Sequence, residues 1–201
     1  KAIDPLKKAT NLDSGFLESY YELGNAYSQL NQHQKALEPL ARFVQINDLH
    51  SNAHLALGQA YVKVNQYDQA VIHLQKALDL NSALTEAYFP LGLSLIKMGK
   101  FEDASVPLGK TTADNPDYPM VQNQLGLGFW KSKKYAEASS FFKKAIDSKP
   151  TFIDPYVNLG VLYTETGNHL DAIQYLEEGT KRAPKNLKPH QTLGLVYEII
   201  G

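Results

Sequence analysis

The sequence contains no cysteine. Disulfide staples, thiol nucleophiles and cysteine-ligated zinc are therefore excluded, while reducing and oxidising compartments are equally compatible with the chain. Neither sign of charge is in excess: 20 Lys and Arg against 21 Asp and Glu leave a formal net charge of -1. No global field draws such a protein to nucleic acid or to an anionic membrane, so neither is an expected partner. No apolar run approaches the roughly 18 residues that span a bilayer, and direct membrane insertion is not expected. The first residues, KAIDPLKKAT, have no signal-peptide h-region and no initiator methionine. Targeting segments are thus expected to have been cut away, and the compartment stays unknown, with the cytoplasm as the default reading. What the chain does have is a 43% hydrophobic fraction beside 20% charged residues over 201 positions, the composition of a soluble, core-forming protein.

Catalytic motifs are also missing. There is no His-Glu-x-x-His, no Gly-x-Ser-x-Gly and no pair of carboxylates framing a pocket. No catalytic residue, cofactor or metal site can be named, and the protein is not expected to be an enzyme. One stretch tests that expectation. QNQLGLGFWKSKKY, residues 122–135, sets Gly126-x-Gly128 beside the single tryptophan and three lysines. A phosphate loop needs a strand before it and a helix start after it, and neither pattern is present. His50 and His54 stand i, i+4, a metal-compatible spacing on one helix, but they straddle a predicted turn and helix start. His33 and His169 occupy places that other segments fill with Tyr67, Phe101 and Tyr135, which makes them packing residues at a turn. His73 and His190 have no partner at useful spacing.

The organising feature is a period. Leu-Gly recurs at Leu23-Gly24, Leu57-Gly58, Leu91-Gly92, Leu125-Gly126, Leu159-Gly160 and Leu193-Gly194, each 34 residues after the last. With Leu-Gly at positions seven and eight, full units run 17–50, 51–84, 85–118, 119–152 and 153–186. A second helix of a partial unit precedes them at 1–16, and a first helix of another follows at 187–201. Positions four, seven, eight and eleven fall at i, i+3, i+4, i+7, one face of a helix, and positions twenty, twenty-four and twenty-seven make a second such face. Each unit is then two antiparallel helices. Neither can bury its apolar stripe alone, so the units must stack. The fold class that follows is all-α, an α-solenoid. Pro5, Pro39 and Pro107 share position twenty-three of the second helix, where a kink is expected. Both ends cut a unit, which predicts a fragment of a longer protein.

This pattern resembles the tetratricopeptide repeat family over the whole chain. Unit 119–152 carries it almost completely, with Leu125, Gly126, Phe129, Ala138, Phe142, Ala145 and Pro150, departing at Gln122. Elsewhere His54 replaces the first aromatic, Phe43 stands where a small residue is usual, and Asp48 and Ser82 replace the proline. The resemblance implies one array over 1–201, a right-handed superhelix of helix pairs, and binding of a protein or peptide along a concave groove lined by the first helices.

About 100° per residue places positions two, six, nine and thirteen opposite the core stripe of the first helix, with five and twelve at its flanks. Position nine changes from Asn25 and Gln59 to Leu93, Leu127, Val161 and Leu195, and Phe89, Ile96, Trp130 and Val157 stand around it. Apolar residues on a face the core does not need mark an interaction site, and the alternative is that they cover neighbouring first helices. The expected partner-binding residues are these together with Asn123, Lys131 and Asn158, Trp130 being the preferred hot spot. Lys63, Lys97 and Lys131 form a basic ladder at position thirteen, suited to a carboxylate; lysine at a helix C-terminus also complements the dipole. The lysine-rich unit 119–152 spreads its charge over turn and outer helix, an edge and not a nucleic-acid stripe. The leading reading is a non-catalytic interaction scaffold. The alternatives are a substrate-docking or assembly module of a larger enzyme or transport complex, and a module that self-associates into a homo-oligomer through the array ends.

Overall fold

The computed structural model describes residues 3–12, 17–111 and 117–201. Among the described residues there are twelve α-helices and no strand. They are α1 (Ile3–Leu12), α2 (Leu17–Gln29), α3 (His33–Ile46), α4 (Ser51–Lys63), α5 (Tyr67–Leu80), α6 (Tyr88–Lys97), α7 (Phe101–Gly109), α8 (Tyr118–Lys131), α9 (Tyr135–Ser148), α10 (Asp154–Glu165), α11 (His169–Arg182) and α12 (Leu187–Ile200). The chain divides into two compact units, Lys1–Thr111 and Thr112–Gly201. In the first, α1 to α7 pack each on the next, and α2, α4 and α6 also touch in order. In the second, α8 to α12 do the same, with α8, α10 and α12 in order. Each unit is a stack of helix pairs, the construction of an α-solenoid.

The pairing is set by one repeated turn. Asn31, Asn65, Gly99, Lys133 and Gly167 all have positive φ, between 56° and 77°. Each is followed by a residue whose N–H donates back to the carbonyl at position eleven: Gln32 to Tyr27, Gln66 to Tyr61, Lys100 to Leu95, Lys134 to Phe129 and Asn168 to Tyr163, at 2.7–2.9 Å. The positive-φ residue donates to position twelve, as Lys133 does to Trp130 at 2.8 Å. This is the Schellman closure, which satisfies the last carbonyls of the first helix and reverses the chain within three residues. Asparagine and glycine tolerate the left-handed region, whereas Lys133 at φ 58° bears a steric cost of about 1–2 kcal/mol.

The turn brings position eight under position twenty-four. A Cβ on Gly58 would stand 2.6 Å from Leu74 Cγ, one on Gly126 2.5 Å from Phe142 Cε1, and one on Gly160 2.5 Å from Leu176 Cγ. Gly24 and Gly92 face Leu40 and Leu108 in the same way. All five of these large residues are fully buried, as are Ala36, Ala70, Ala104, Ala138 and Ala172 at position twenty. Glycine is required here because two backbones approach across a large side chain. Gln122, where the family has an aromatic, is buried with its Oε1 unpartnered.

The helix α3 is continuous across Pro39, which donates no N–H to it, while α7 ends at Gly109, two residues past Pro107. One expectation meets a different outcome. His73, for which the sequence offered no partner, lies with its Nδ1 3.0 Å from Nδ1 of buried His54. The Asp48 carbonyl can only accept, so His54 Nε2 donates to it at 3.1 Å. In the tautomer with its proton on Nε2, His54 accepts at Nδ1, and His73 Nδ1–H donates. The two imidazoles stack, His73 also stacks on Tyr61, and Lys76 pairs with Asp48 at 2.7 Å. His50 instead caps α4, accepting from Ala53 N at 3.0 Å.

Three outcomes test this packing. Gly160→Ala should destabilise the protein by about 1–2 kcal/mol through overpacking against Leu176, read from the urea midpoint. Lys133→Gly should raise the midpoint, with a gain of about 0.5–1 kcal/mol as left-handed strain is relieved. Burial, and then the neighbouring His54 imidazole, hold the His73 imidazole below its ordinary 6.5, with Asp48 opposing. Above pH 6.5 both the folded and unfolded states carry it neutral; below, the unfolded chain takes the proton first, so stability is lost as pH falls. Urea midpoints measured from pH 7.5 to 5 should fall for the parent protein, and fall less for His73→Gln.

Candidate functional site

In the first unit the face of α2, α4 and α6 carries Asn25 and Leu93 half-buried, Gln59 exposed and Phe89 half-buried. Ile96 is 8% exposed and belongs to the packing of α6, leaving a partner little surface. The same holds in the second unit for Asn123, 4% exposed. The 100° rule placed both residues at the edge of the core stripe, and neighbouring helices close over that edge.

Asn123 has a partner that spacing alone does not reveal. Asn158 Nδ2 donates to Asn123 Oδ1 at 2.8 Å, joining α10 to α8. Two turns further along, Trp130 Nε1 donates to Glu165 Oε2 at 2.7 Å, and the Tyr135 hydroxyl donates to Glu165 Oε1 at 3.1 Å. The Glu165 carboxylate beside it raises the Tyr135 phenol above its ordinary range. Lys188 joins α12 to α10 through Asp154, at 3.0 Å. Consecutive first helices of this unit are thus bridged by side chains 34 or 35 residues apart in sequence.

Between the two bridges on α8 and α10 lie Leu127, half-buried, and Val161, 39% exposed. Leu195 holds the same register on α12 and is 58% exposed. Val157 is half-buried. Three apolar side chains at one register of three successive helices are therefore left open by a framework whose polar groups already satisfy one another. Trp130 is half-buried and stands edge-on to Phe142, ring centroids 6.2 Å apart, so its ring serves the core as well as the face.

Lys63, Lys97 and Lys131 are the last residues of α4, α6 and α8, exposed and unpaired with carboxylates among the described residues. That placement favours the helix dipole as their structural role. Position thirteen of the next helix is Glu165, and this reversal of sign was the one available signal of its bridging role. The lysines of unit 119–152 are partly engaged: Lys134 lies over the Phe129 ring at 5.7 Å, Lys143 over Tyr163 at 5.8 Å and Lys144 over Phe141 at 4.9 Å. No group of three or more metal-ligating side chains is assembled among the described residues. No helix among them is long and apolar enough to cross a membrane.

Solved structures with this fold include YrrB, described as a TPR protein with an unusual peptide-binding site, at 22% identity and a TM-score of 0.73, covering 92% of this chain and 96% of that one. MamA from Desulfovibrio magneticus RS-1 matches at 19% identity and a TM-score of 0.68, covering 85% and 96%. PilF of Pseudomonas aeruginosa matches at 22% identity and 0.62, covering 92% and 84%. No curated protein matches the sequence. The family model described as the tetratricopeptide repeat protein 21 C-terminal ARM domain matches residues 1–162, and a tetratricopeptide repeat model matches residues 153–186. The chain belongs to the tetratricopeptide repeat family, a family of protein–protein interaction scaffolds that are typically non-catalytic.

Proposed function

We propose that the protein is a non-catalytic scaffold that holds an extended or helical peptide of its partner across α8, α10 and α12. The observation that carries this reading is the open register of Leu127, Val161 and Leu195. An apolar strip flanked by satisfied polar bridges offers anchor pockets without a desolvation cost in the framework itself. Trp130 supplies a rigid ring at one end of the strip, prepositioned by Glu165, so little side-chain entropy is lost when a ligand packs on it. In the first unit, Asn25 and Gln59 hold the same register and offer polar contacts. The exposed Lys131 beside Trp130 suits a carboxylate on the same ligand. The peptide-binding site named for YrrB lends support by likeness of fold.

A second reading, a docking or assembly module of a larger protein, draws support from the matched family model, which is described as the C-terminal domain of a repeat protein. The two readings share the same face and differ in what else is tethered to it.

Capture on immobilised protein followed by mass spectrometry would identify a partner, and tiled peptides would locate the bound segment. Val161→Asp and Leu195→Asp should each weaken that peptide about tenfold or more, equivalent to about 1.4 kcal/mol, with an unchanged urea midpoint because both side chains are exposed. Unchanged affinity in both variants would remove the strip as the binding face.

A further inference from the structure

The first turns of the second helices follow one rule with one exception. α5, α7, α9 and α11 open with Asp68, with Glu102 and Asp103, with Glu137 and with Asp171, acids that complement the positive end of the helix dipole. The first turn of α3 holds no acid and carries Lys35 instead, a charge that works against its own helix. A second departure stands one turn further on. In three units a ring at position twenty-three packs on the ring at position eleven: His73 on Tyr61, Phe141 on Phe129 and Tyr175 on Tyr163, with centroids 5.1–5.8 Å apart. Unit 17–50 has Pro39 at that position, so Tyr27 receives no aromatic ring from it.

Both departures border one cavity. At about 550 Å³ it falls within the size range of small-molecule sites. Tyr20, Tyr27 and Pro39 line it, and three cations share the lining, Lys7 from α1 and Lys35 and Arg42 from α3, against the single carboxylate of Glu38. Lys35 Nζ donates to Gln32 Oε1 and Arg42 Nη1 to Gln45 Oε1, each at 3.2 Å. These acceptors are neutral, and among the described residues neither cation has the carboxylate partner that Lys76, Arg182 and Lys188 have. Lys7 lies over the Tyr27 ring at 5.8 Å. Lys143 holds the same place over Tyr163, also at 5.8 Å, between two complete units, so this lysine wall belongs to the repeat itself.

We propose that the cavity binds a compact polyphosphate group, carried free or on a small organic molecule. Lys35 and Arg42 share one face of α3 and stand about 10 Å apart along its axis, a span that suits two or three linked phosphates better than one. Arginine takes phosphate oxygens through two parallel N–H donors, and the lysines add point charges from both walls. The tyrosines and Pro39 supply apolar surface for a ring attached to the phosphate chain. The cavity lies in the first unit and the Leu127, Val161 and Leu195 strip in the second, so the inference stands apart from peptide binding.

Isothermal titration of the 201-residue chain with sodium tripolyphosphate, and separately with magnesium-free ATP, tests this. The expected result is saturable binding at one site, weakening as salt is added. Arg42→Gln and Lys35→Glu should each lower the affinity about tenfold through loss of a charge-assisted hydrogen bond. Lys35→Glu should leave the urea midpoint equal or higher, because an acid suits that first turn, and lost binding then does not reflect unfolding. Tighter binding of ATP than of tripolyphosphate supports a nucleotide as the source, and equal affinity supports recognition of the phosphate chain alone. Absence of saturable binding to both probes, unchanged affinity in both variants, or an equal loss in Lys63→Gln, whose lysine lies outside the cavity, would each overturn the proposal.

Discussion

The contact on which the fold depends is a large side chain lying directly on a glycine sixteen residues earlier. At Gly126 and Phe142, or Gly160 and Leu176, the spacing leaves no room for a Cβ. Two helices can approach this closely only if one presents bare backbone, and the approach then buries the alanine at position twenty against the same surface. Schellman closures at Asn31, Asn65, Gly99, Lys133 and Gly167 make the approach possible, because they reverse the chain at the same place in every unit. Packing and turn are thus one constraint, repeated. Since each pair contacts only its neighbours, stability is a sum of local terms.

The strip of Leu127, Val161 and Leu195 stands apart from that constraint, since its apolar residues hold a register the core does not use. In the proposed reading, such a strip selects a ligand by its apolar anchors and its polar flanks.

Much of this was legible in the linear sequence. The 34-residue spacing of Leu-Gly placed every helix pair, and the exposure of Gln59, Val161 and the three helix-terminal lysines agrees with the angular reading of the first helix. Asn123 and Ile96 show where that reading weakens. An angular wheel treats a helix as standing alone, so residues at the edge of the stripe look open until the adjacent helix is present. Glu165 and His73 were illegible for a related reason: their partners, Trp130 and His54, lie 35 and 19 residues away, and no local pattern ties two such side chains together.

What the sequence determined by itself was the repeat, because close packing of backbones demands small residues at fixed intervals and such intervals survive in one dimension. Tertiary structure alone decided which polar side chains bridge first helices and which apolar residues stay open. Those depend on distances between elements far apart in the chain, and a sequence carries composition and order but not that separation.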